Sequence, residues 1–194
     1  KEEGKINIDS KKKIGVLFGG DTSVSRFDEN SLKIFLNNLE VFSEKSGAQI
    51  LITTSRRTPS WADKLIKEKM SGRPWCPLCV IANDSNYPGI VAGILGLSDA
   101  LLVSGESMSM VSEAVLAEKP VGVFLPFVKN NLKSKHQDFL NNFVKQGAIR
   151  MVGSDSPEKV LESLLSGETS WSRGVRAETQ EVLQRAAERI LYSK

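Results

Sequence analysis

Six short, continuously apolar runs, separated by helical patterns, set the limits on how this chain can fold. The first spans residues 14–18 and ends in Gly19-Gly20. A helix is expected from 28 to 45, where Leu32, Phe35, Leu36, Leu39 and Phe42 recur on one face. Residues 48–52 form the second run, followed by Thr53-Thr-Ser-Arg-Arg57 and a helix from Ser60, where Ser60 and Asp63 have capping-box spacing. A short third strand is expected at 80–82, then a turn-rich stretch and an apolar helix over 90–96. Residues 100–103, 120–125 and 149–152 supply the remaining strands. Gln137, Leu140, Phe143 and Val144 mark one intervening helix and residues 160–165 another. Strands rich in Val, Ile and Leu without polar alternation belong to parallel sheets covered on both faces. The alternation therefore predicts an α/β fold: a doubly wound, Rossmann-like domain with about six parallel strands and right-handed crossovers.

With 194 residues there is enough chain for one full core. Residues 1–13, carrying Lys11, Lys12 and Lys13, read as a flexible basic tail, and 14–170 as the domain. Residues 171–194 read as a terminal helix, where Val182, Leu183, Ala186, Ala187, Ile190 and Leu191 make a narrow apolar stripe. That stripe packs on this domain or reaches to another one. The net charge is only +3, and no aromatic residues interleave with the basic ones, which argues against nucleic acid as a partner. No apolar run approaches the ~20 residues that span a bilayer. The chain opens on Lys1 rather than Met, as a cut or processed protein would. Trp75-Cys-Pro-Leu-Cys79 superficially resembles a thioredoxin-type motif, but the pair precedes a strand instead of opening a helix. One such pair cannot complete a structural zinc site. The expectation is two reduced thiols, no metal, and a cytoplasmic location with peripheral membrane contact left open.

In an open parallel sheet, ligands bind beyond the carboxyl ends of the strands, where the strand order reverses. The six-stranded Rossmann order would put strands one and four there, with outgoing loops at 19–23 and 104–109. The second of these begins Ser104-Gly-Glu-Ser-Met-Ser-Met-Val-Ser-Glu113, with two carboxylates and four serines where a strand hands over to a helix. Free N–H groups and a positive dipole end make phosphate the natural guest at such a helix start. Gly19 and Gly20 would let the backbone approach an anion, or simply make a tight turn, while Thr22 and Ser23 add hydroxyl donors. Thr54, Ser55, Arg56 and Arg57 lie beside them after strand two. Of the adjacent arginines, one is expected to clamp a phosphate and the other to pair with a surface carboxylate. The loop Asn83-Asp-Ser-Asn-Tyr87, with Asn86 and Tyr87 as candidates, borders the same rim. Ser109 and Glu113 share a helix face, where Glu113 either complements the dipole or accepts sugar hydroxyls. Glu106 reads as cap-like support or as a direct contact. Met108, Met110, Val111, Ala114 and Val115 read as core. His136 is expected on the surface, remote from these loops, so no nucleophile–histidine constellation can be assembled. A G-x-G-x-x-G loop and a Walker lysine are both lacking.

The strings Leu51-Ile-Thr-Thr-Ser-Arg-Arg-Thr-Pro59 and Ser107-Met-Ser-Met-Val-Ser-Glu-Ala114, followed by Lys119-Pro-Val121, resemble the mitochondrial-fission-factor-like family of bacterial and plant proteins. The similarity runs from Ile14 through Pro126. It implies a GT-B architecture of two Rossmann domains with glycosyltransferase ancestry, this chain being the C-terminal, donor-binding half. The pattern is also similar to the donor half of the peptidoglycan N-acetylglucosaminyltransferase. By that resemblance Glu113 would hold the ribose hydroxyls, and Ser107, Met108 and Ser109 would line the diphosphate. Three departures stand out: Asn86-Tyr-Pro88 where Asn-Pro-Tyr is usual, Glu106 where Asp is usual, and a negative Asp21 in the first loop.

The resemblance further implies a nucleoside diphosphate sugar as substrate, with no cofactor and no metal. The expected partner is an N-terminal GT-B domain carrying the acceptor and the catalytic base. The terminal helix would cross to that domain or self-associate in its absence. The full-length protein would be a metal-independent glycosyltransferase and this chain alone inactive, its catalytic residues unassigned. A non-catalytic GT-B-derived adaptor and a sugar-nucleotide epimerase of the same fold are the alternatives.

Overall fold

The computed structural model describes residues 11–22, 25–85, 87–125, 134–153 and 158–166. Among them the strands are β1 (Lys13–Leu17), β2 (Gln49–Thr53), β3 (Leu78–Val80), β4 (Ala100–Ser104), β5 (Val121–Phe124) and β6 (Arg150–Val152). They form one parallel sheet in the order β3-β2-β1-β4-β5-β6. The chain turns back at β1 and leaves in the opposite direction through β4, so the reversal lies between these two strands. Val16 is level with Ile52 on one side and Leu102 on the other.

The helices are α1 (Glu29–Ser46), α2 (Ser60–Met70), α3 (Ile90–Leu97), α4 (Met108–Leu116), α5 (Ser134–Lys145) and α6 (Glu158–Ser166). Successive strand residues point to opposite faces, and each face has its own core. Ile14 and Val16 pack with Leu36 of α1, Ile66 of α2 and Leu161 of α6. Leu17 packs with Ile94 of α3, Val111 of α4 and Leu140 of α5. Each fully buried aliphatic or aromatic side chain contributes about 1.5–3 kcal/mol, so the two-sided burial explains why the strands read as unbroken apolar runs. The α1 stripe expected from spacing is the buried one. Asp28 caps that helix by accepting the Ser31 N–H at 2.8 Å, and Gly47, at φ 73°, closes it.

Several boundaries differ from the sequence reading. The third strand ends at Val80 instead of beginning there, because the next residues turn away from the ladder: the Ala82 N–H goes to the Thr54 hydroxyl at 3.0 Å. Helix α4 starts at Met108, so the polar stretch itself forms the first turn, with the Val111 N–H bonded to the Ser107 carbonyl. Ser60 is the first helical residue of α2, not its cap; Pro59 holds the cap position, and Asp63 turns to Asn83 at 2.6 Å. Lys13 is buried in β1, and Asp99 accepts both its N–H, at 2.8 Å, and the Lys12 ammonium, at 3.1 Å. The sheet thus begins inside the segment read as a tail. Residues 1–10 and the terminal helix over 171–194 lie outside the described residues. No helix among the described residues is long and apolar enough to cross a membrane.

Candidate functional site

Three loops meet at the carboxyl end of the sheet, beside the β1–β4 reversal. Gly19, just past β1, is gripped from both neighbours. Its N–H donates to the Ser104 hydroxyl at 2.7 Å, and its carbonyl accepts the Thr58 hydroxyl. The N–H groups of the other described residues of this loop are also engaged within the protein. Gly20 donates to Glu106, Asp21 to the Arg57 carbonyl at 3.1 Å, and Thr22 to the Ser25 carbonyl at 2.8 Å.

The bareness of the two glycines serves this knitting. A Cβ on Gly19 would lie 1.7 Å from Glu106 Oε1, and one on Gly20 would lie 2.1 Å from the Arg57 backbone. Asp21 turns its carboxylate onto the Phe27 N–H at 2.9 Å, which closes the loop on itself. Thr22 likewise closes the loop through its hydroxyl, 3.4 Å from the Ser25 carbonyl. Ser23 and Asn86 lie outside the described residues.

In the loop after β2, Thr54 is buried and supports Ala82. Ser55 accepts the Arg57 N–H at 3.2 Å. Of the two arginines it is Arg57 that reaches across, its guanidinium 3.5 Å from the Ser107 hydroxyl. Arg56 is exposed. Tyr87 is also exposed, at 59%.

Glu106 is only 3% exposed. Burial is the main influence on its carboxyl and raises it to about 7. Hydrogen bonds from its own and the Gly20 N–H, the Ser104 hydroxyl at 3.1 Å, and the Arg57 charge oppose that rise. The site thus contains an acid that is half ionised near neutral pH.

Helix α4 supplies the open donors. Helix geometry leaves the N–H groups of its first residues without intrahelical acceptors. Ser107, at the cap position, is 4% exposed and makes no side-chain cap bond. Its hydroxyl lies 3.4 Å from that of Ser109. Met108 is 46% exposed, contrary to its reading as core, because it occupies the first turn where α4 has not yet reached the sheet. Further along, Glu113 is exposed and lines an open groove with Ala92, Leu95 and Gly96 of α3 and Leu116, Ala117 and Lys119.

Sequence reasoning placed Ser104, Thr58 and Asn83 in the converging loops but missed what each one holds. Ser104 and Thr58 hold Gly19, and Asn83 ties the Thr58 carbonyl, at 3.2 Å, to Asp63. His136 was placed on the surface and remote. It is instead half-buried, with Nε2 2.7 Å from the Gly105 carbonyl, because α5 packs back over the β4 loop.

Residues 2–191 match the family described as mitochondrial fission ELM1. The chain belongs to that family. As an ELM1-family member it is 26% identical, over 136 residues, to the uncharacterized protein RP120 of Rickettsia prowazekii (strain Madrid E), covering 70% of this chain and 37% of that one. Its fold is similar to that of S. aureus MnaA, solved with UDP, at TM-score 0.59 and 11% identity over 85% of this chain and 40% of that one. It is equally similar to a putative UDP-N-acetylglucosamine 2-epimerase from Listeria monocytogenes, at TM-score 0.58 and 12% identity over 85% and 39%. These likenesses show in this chain the Rossmann-like fold of one half of a GT-B-like protein, and the chain spans well under half the length of each of these proteins.

Proposed function

We propose that this chain is the nucleotide-sugar-binding half of a GT-B glycosyltransferase-like protein. The observation that carries the reading is the start of α4. It lies at the strand-order reversal with its first N–H groups uncapped by Ser107, and the Arg57 guanidinium stands across from it. The glycine loop has committed its own N–H groups to protein acceptors, so α4 and Arg57 are the donors that would meet a diphosphate.

Ser109 and Glu113 share one face of α4, about 6 Å apart along its axis. A diphosphate at the helix start would therefore bring its ribose to Glu113, whose carboxylate accepts the hydroxyls. In transfer, charge developing on the leaving diphosphate would be met by the helix N–H groups and Arg57. The UDP bound by MnaA and the UDP-sugar in the Listeria enzyme's name favour a uridine nucleotide.

Isothermal titration of the longer protein, with its preceding domain, against UDP-, GDP-, ADP- and CMP-sugars tests this. Saturable binding by one of them supports the reading; no binding at millimolar ligand refutes it. The family's description favours a second reading, a non-catalytic adaptor built on the same scaffold. Arg57→Ala and Glu113→Ala separate the two: an adaptor retains its partner when nucleotide binding is lost.

A further inference from the structure

The segment Trp75-Cys-Pro-Leu-Cys79 joins α2 to the edge strand β3, away from the loops around Gly19. It is pinned in place. The Trp75 carbonyl accepts the Ile50 N–H at 2.8 Å, and the Cys76 N–H donates to the Arg73 carbonyl at 2.9 Å. The Cys76 thiol folds back toward the Leu78 carbonyl at 3.6 Å, and the two cysteine side chains interact directly. Both thiols are free.

Their surroundings differ. Cys76 is 3% exposed and belongs to the core beneath α1 and α2. Cys79 packs against the same core but is only half-buried, on β3, which among the described residues pairs with β2 alone, so its thiol keeps partial access to solvent. Ser71 hydrogen-bonds Cys79, and the Lys67 ammonium, itself paired with Asp84 at 2.5 Å, faces it. The Cys76 contact, Ser71 and Lys67 hold the Cys79 thiol below its ordinary range against its burial, while the Cys76 thiol is pushed up by the same contact and by burial. A reachable thiolate backed by a buried, protonated thiol is the asymmetry that stepwise thiol–disulfide exchange uses.

We propose that Cys76 and Cys79 form a redox-active dithiol that closes to an intramolecular disulfide by exchange with a low-molecular-weight disulfide such as glutathione disulfide. The Cys79 thiolate attacks one glutathione sulfur, the glutathione S–S bond breaks, and one glutathione thiolate leaves. Cys76 then gives up its proton and attacks the Cys79 sulfur of the mixed disulfide, expelling the second glutathione. The protein loses two protons and two electrons, and glutathione disulfide takes them up to become two thiols. The sequence reading puts both cysteines ahead of the strand, but Cys79 lies within β3 and only Cys76 precedes it; exchange depends on the thiol environments and not on the element that holds them.

The test equilibrates the chain with glutathione buffers from reducing to oxidising. Acid quench, N-ethylmaleimide under denaturing conditions and intact mass then report the thiols. Reducing buffer should give two maleimide adducts; oxidising buffer should give none, with a mass two hydrogens lower. Cys76→Ser should trap one glutathione on Cys79, and Cys79→Ser should take none. Two alkylatable thiols at every buffer ratio would overturn the proposal. So would disulfide-linked pairs of chains on a non-reducing gel, or faster glutathione uptake by Cys79→Ser than by Cys76→Ser. The wild-type masses decide alone if a variant fails to fold.

Discussion

Glu106 joins packing to charge. In the folded chain burial holds its proton up to about pH 7, whereas an unfolded chain releases it near the ordinary value of 4.5. The folded state therefore binds the extra proton between those values. The Glu106 contribution to stability should be greatest below 4.5, fall as pH rises, and level off above about 7, with a change from this group of about 3 kcal/mol. Glu106→Gln should flatten that slope, as read from urea unfolding at about pH 5 and about pH 8. An unchanged slope would mean that another group is responsible. For ligand binding, Arg57→Ala should weaken nucleotide-sugar affinity by roughly 10-fold or more, the effect of losing a charge-assisted hydrogen bond. Arg56→Ala should change it by less than about 2-fold. Titration calorimetry on both variants checks the contrast. Adjacent arginines in sequence gave no ground for choosing between them; the choice depends on the turn that the Ser55 hydroxyl makes with the Arg57 N–H.

At the level of elements, periodicity served where a residue's partner is a whole face. The α1 stripe and the apolar strands were legible because burial against a sheet imposes a spacing on the chain. It failed where one polar atom replaces a ladder partner. Nothing in residues 80–82 announces that the Thr54 hydroxyl, far away in sequence, takes the Ala82 N–H and ends β3 at Val80. Thr54→Val keeps the shape and orphans that N–H, so it should cost about 1–3 kcal/mol in chemical denaturation. Asp28→Ala should cost about 1 kcal/mol by uncapping α1. The Asp28 carboxyl is held below its usual range by the Ser31 hydrogen bonds, so its contribution is present at neutral pH and lost as pH falls through that lowered value. Asp28→Ala should therefore approach wild-type stability in strong acid.

For the whole molecule, the sheet order follows from the alternation of strands and helices, and the order in turn locates the reversal between β1 and β4. The site was legible to that extent: the sequence indicated which loops converge, but not how their hydrogen bonds are shared. His136 shows the same limit, since its contact with Gly105 is set by the packing of α5. A ligand that binds only the folded chain at about 100 times its Kd adds about 2.7 kcal/mol, which for a domain of this size raises Tm by roughly 5–10 °C. A UDP-sugar should produce such a shift in the wild type and a much smaller one in Arg57→Ala, as measured by calorimetry.

The carboxylate of Glu106 stands where a side chain of residue 19 would stand, so the two positions occupy a single volume. Residue 19 cannot grow alone. Gly19→Ala collides with Glu106, yet Glu106→Asp withdraws the carboxylate by about one bond, ~1.5 Å, toward its own backbone. A chain carrying both changes recovers the methyl's space. Natural variation at these two loops, 87 residues apart, should therefore be inherited in pairs, with a residue larger than glycine at 19 appearing only beside a shorter one at 106.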